Sequence, residues 1–146
     1  MNKTRFHQPY FLYLLVITFA GLALVVVGLI QFPQFNPKSV FLLILALAAF
    51  SELTTTIINT PDRGIGFEVG TAVSLALIPL FGPGAAAVAA AVCTLALWFM
   101  KIGSRTSWRG NWEPLGFNAG MHSIAIYLAG VVFLSLQQRL DANTWF

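Results

Sequence analysis

Charge is what this chain has least of. Asp, Glu, Lys and Arg make up 9% of its 146 residues, against about 25% in ordinary soluble domains. That scarcity excludes a surface dressed for water in the usual way. The net charge is +3, but no run of Lys or Arg is long enough to track a phosphate backbone, so no nucleic-acid partner is expected. Cys93 is the only cysteine. It forms no internal disulfide, makes no metal site by itself, and reads as a small apolar packing residue. Also missing is the ~10-residue alternation of a membrane β-barrel. No nucleophile–base pair, metal-ligand pair or glycine-rich phosphate loop is evident, so the chain reads as non-enzymatic, with its cofactors unknown.

What the chain has instead is apolar length. Hydrophobic residues make up 58% of it, gathered into stretches over 10–30, 40–58, 67–81, 85–100 and 117–136. Two of these reach the roughly 20 residues that a helix needs to cross a ~30 Å hydrocarbon core. The expected fold is all-α: one domain over 1–146, a polytopic membrane bundle of about five transmembrane helices. Lys3 and Arg5 ahead of the first stretch imitate a signal peptide. The stretch is longer than an h-region and no small-x-small cleavage site follows, so it reads as a retained first helix.

The basic residues set the orientation. With the N-terminus inside, Lys3, Arg5, Arg63, Lys101, Arg105 and Arg109 are cytoplasmic, and only Lys38 and Arg139 fall outside, as the positive-inside rule asks. The uncharged Gly82-Pro83-Gly84 is then a short external turn. The third and fourth stretches, at about 15 residues or roughly 23 Å of helix, are expected to cross fully, with a re-entrant hairpin as the other option. Five crossings place the C-terminus outside, and Trp145-Phe146 reads as the approach to a further helix rather than a natural end. The basic residues Lys101, Arg105 and Arg109, with Trp98, Trp108 and Trp112 close by, suit the lipid headgroup layer.

Polar groups at membrane depth are the natural candidates for function, because lipid cannot satisfy them. Glu52, Thr55, Thr56 and Asn59 fall on one face of the second helix. Glu52 is either part of a ligand or proton site, or a residue near the inner interface, solvated or paired with Arg63. Glu68 opens the third helix, where a carboxylate is stabilised by the helix dipole. Asn118 and His122 stack four residues apart on the fifth. His122 can bind a ligand, relay a proton, ligate a pigment metal or simply hydrogen-bond a neighbouring helix. Packing signals accompany these. The Ala-rich 85–91 segment and the pairs Gly66/Gly70 and Gly116/Gly120 allow close helix approach, within one bundle or across a homodimer.

The order of features carries a resemblance. Ser51-Glu52-Leu53 ends the second helix, and Gly70-Thr71-Ala72-Val73-Ser74-Leu75 runs on to Phe81-Gly82-Pro83. An Ala-rich helix and a basic loop follow, leading to Phe117-Asn118-Ala119-Gly120. Over about two-thirds of the chain this resembles the N-terminal multi-helix membrane modules of bacterial signalling proteins such as HD-type phosphohydrolases and GGDEF diguanylate cyclases. The resemblance implies an inner-membrane sensory or anchoring unit that passes a ligand- or partner-driven helix shift to an output domain. This chain contains no His-Asp pair and no GGDEF-type sequence. Two other roles stay open: an accessory subunit of a larger energy-transducing or photosynthetic membrane complex, and the substrate-binding membrane component of a transporter. In each case the partners are the lipid bilayer and other membrane chains.

Overall fold

A computed structural model describes residues 8–58, 69–103 and 112–143. They form five α-helices, α1 (Gln8–Gln31), α2 (Lys38–Ile58), α3 (Val69–Phe81), α4 (Pro83–Gly103) and α5 (Trp112–Asn143), with one 3₁₀ turn at Phe32–Gln34. The all-α class is as the length of the apolar stretches predicts. Two spans, Tyr10–Gln34 and Leu115–Asp141, are long and apolar enough to cross a membrane. Only 11% and 22% of their most apolar windows are buried, whereas a helix this apolar in a water-soluble core would be mostly covered.

α4 is the hub and packs against each of the other four helices. Its alanines make this possible: Ala85, Ala86, Ala87 and Ala89 are completely buried, since side chains that small let four neighbours come close. The α3–α4 turn follows from two residues. Gly82 has φ +87° and its N–H returns to the Ile78 carbonyl at 2.9 Å, closing α3 in the left-handed conformation that glycine tolerates. Pro83 then opens α4 at the position where a missing N–H costs nothing. Beside this turn Phe32, Phe35, Phe41 and Phe81 cluster, with Phe35 and Phe41 5.0 Å apart and Phe41 and Phe81 5.5 Å apart.

α1 crosses its partners at glycines. A Cβ on Gly21 would collide with the Gly120 backbone, and one on Gly120 would lie 2.6 Å from the Ile17 carbonyl oxygen. About two turns further along, Gly28 meets Gly84 on α4 in the same way. Gly116 faces Thr18, so the expected Gly116/Gly120 pair forms the α1–α5 crossing within this bundle. Gly70 packs elsewhere, and Gly66 lies outside the described residues.

Several helices outrun their apolar stretches. α4 starts at Pro83 and carries Lys101 in its last turn, and α5 takes in Trp112 and Glu113 from what reads as loop. α5 touches Pro83 at Gly130 and continues to Asn143, roughly 20 Å further.

Candidate functional site

α3 has 13 residues and is therefore about 20 Å long, while α2 and α4, with 21 each, reach about 32 Å. All three have an end near the phenylalanine cluster. The first described residue of α3, Val69, consequently lies part-way along its neighbours. A helix that starts inside a bundle leaves first-turn N–H groups to be satisfied there. Glu52 meets that need: its side chain is 3% exposed, and its Oε1 accepts the hydrogen bond of the Gly70 N–H. The carboxylate also sits at the positive end of the α3 dipole. Gly70 is required at that point, because a Cβ there would strike Glu52 Oε1 and come within 3.0 Å of Cys93 Cβ.

Across the bundle a second polar link joins α4 to α5. Thr94 Oγ1 donates to the Ala90 carbonyl at 2.9 Å and lies 3.4 Å from His122 Nδ1. A hydroxyl has one proton to give. With that proton on Ala90, the ring nitrogen is the donor, which places the imidazole proton on Nδ1. One turn from Ala90, the buried Ser123 donates to the Ala87 carbonyl at 3.2 Å.

Between the two links lies a cavity of about 20 Å³. Glu52 from α2, Gly70, Thr71 and Ser74 from α3, Ala90, Cys93 and Thr94 from α4 and His122 from α5 line it, with Leu97 and Ile126 completing the wall. Ser74 is fully buried, and its Oγ has no hydrogen-bond partner among the described residues. Among those residues no group of three or more His, Cys, Asp or Glu is placed to hold a metal ion.

The structure brings two of the sequence candidates, Glu52 and His122, to one cavity. Asn118 is exposed and does not line it, although it shares a heptad face with His122. Thr55 and Thr56 lie in the last turns of α2, with their side chains outside the described set. Asn59, Glu68, Arg105 and Arg109 lie outside the described residues, as does the side chain of Lys101. Within the described part, the carboxylate at the start of α3 comes from Glu52. Sequence reading passed over Thr94 and treated Cys93 as packing only. The signal available for both was only their place as polar-capable residues on the alanine-rich helix, since their approach to His122 depends on the fold. No family model, curated protein or solved structure matches this chain.

Proposed function

We propose that the chain is a non-enzymatic inner-membrane bundle that senses and anchors, and that a shift in helix packing at the Glu52–His122 cavity is its signal. In this reading all five helices lie in the bilayer, the N-terminus is cytoplasmic, and an output unit responds to movement of α5. The observation that carries it is the Glu52 carboxylate, buried among apolar helices and bonded to the amide of another helix. A carboxylate at membrane depth is costly to keep, and one that bridges two helices changes their contact when its bond is broken and made elsewhere. α5 supports the transmission step, since it both lines the cavity and runs well past the bundle.

The test is the signal of the native protein in its own membrane. Glu52→Ala and His122→Ala should each alter output while the bundle stays folded. If both variants signal like the wild type, the site is wrong. The accessory-subunit reading is favoured by one feature, the exposed Val131, Val132, Phe133, Leu136 and Leu140 beyond Gly130, a face that a larger complex would cover. The intact mass of the native protein separates the two. A mass well above 15.9 kDa reports an attached output unit, whereas 15.9 kDa arriving in a large assembly reports a subunit.

A further inference from the structure

The geometry points to a single ordered water in the cavity, held by Ser74 Oγ and joining Glu52 to the Thr94–His122 pair, so that protonation of His122 is felt at the first turn of α3. Three observations converge on it. The volume of about 20 Å³ clears the ~10–15 Å³ that one water needs, and is too small for an organic ligand. A buried hydroxyl without a partner calls for an unseen one, and Ser74 is that hydroxyl. The wall supplies the two to four polar partners that a buried water requires: Ser74, Glu52, Thr94 and His122.

The link follows from the proton count. With its proton on Nδ1, the neutral ring of His122 offers only an acceptor at Nε2, and protonation makes both nitrogens donors. A water touching the ring at one side and Ser74 and Glu52 at the other must reorient, and the Glu52–Gly70 bond responds. The titratable groups facing the cavity are Glu52 from α2, Cys93 from α4 and His122 from α5. α3 adds Thr71 and Ser74, which do not titrate in this range, and among the described residues α1 adds none. This inference goes beyond the sensory reading, because the water link stands or falls whether or not an output unit exists.

The experiment is nitrogen NMR of the full chain in lipid nanodiscs, with glycine and histidine labelled. The Gly70 amide should exchange magnetisation with water and move with the same pH midpoint as the His122 ring. Ser74→Ala should leave Gly70 bonded to Glu52 but stop it following His122, and Thr94→Val should do the same from the other side. The proposal is overturned if wild-type Gly70 stays still through the His122 titration, or if both variants follow as before. It is also overturned if the resonances shift on adding sodium at fixed pH, since the guest would then be a cation. Variants that lose the Gly70 response yet signal like the wild type would count against the sensory reading alone.

Discussion

Glu52 on α2 caps α3 from outside that helix: its Oε1 takes the Gly70 N–H, eighteen residues away in sequence. An acceptor, rather than a charge, is what that amide requires. Glu52→Gln should therefore keep most of the stability, while Glu52→Ala should cost about 1 kcal/mol, in the range of a lost N-cap. Reversible unfolding in mixed micelles measures the cost. Amide exchange at Gly70 should accelerate in the alanine variant only.

At the α1–α5 crossing the backbones themselves touch. A methyl group at Gly120 meets the Ile17 carbonyl at 2.6 Å, whereas one at Gly116 meets Thr18 Cγ2 at 3.0 Å, and a side chain yields more easily than a main chain. Gly120→Ala should destabilise by about 1–3 kcal/mol, and Gly116→Ala by clearly less. Equal costs at the two positions would contradict this crossing.

Two serines of α5 give a matched contrast. Ser123 is fully buried and donates to Ala87 on α4 at 3.2 Å. Ser135 is exposed and bonds within its own helix, to the Val131 carbonyl at 2.7 Å. Ser123→Ala should cost about 0.6 kcal/mol, typical of an interhelical bond in a bilayer, and Ser135→Ala should be neutral by the same unfolding assay.

Phe41 is 2% exposed and lies at the centre of the phenylalanine cluster. In a water-soluble core its truncation to alanine costs about 3–5 kcal/mol. In lipid the transfer part of that cost largely vanishes, because the hydrocarbon tails are as apolar as the core. Phe41→Ala should therefore fall below about 3 kcal/mol in bilayers. A full-sized loss would place the cluster in water.

How much of this could be read from the sequence depends on the range of each contact. Apolar length alone gives five helices, and the scarcity of acceptable places for a carboxylate or an imidazole singles out Glu52 and His122. Residues that share one face of one helix, such as Gly116 and Gly120, are visible as spacing. What joins distant segments is not. Nothing in the sequence near Gly70 says that its amide meets Glu52, and Gly21, Gly28 and Gly84 become meaningful only when α1 is laid across α4 and α5. Asn118 shows the limit of heptad reasoning. A helix that neighbours crowd on one side only can hold one member of an i, i+4 pair half-buried and leave the other exposed.

Aqueous maleimide labelling of cysteines introduced one at a time in native membranes, with buried Cys93 as the internal control, shows whether the whole bundle lies in the bilayer. The positions are Phe19, Leu47, Leu75, Leu95 and Met121, one exposed apolar residue on each helix, each far from the ends of the bundle. A bilayer-embedded bundle predicts that all five resist the reagent until the membrane is dissolved, while Lys38→Cys and Arg139→Cys react from outside intact cells. Ready labelling at Leu47, Leu75 or Leu95 in intact membranes would contradict a five-helix bilayer bundle, because those helices would then lie in water.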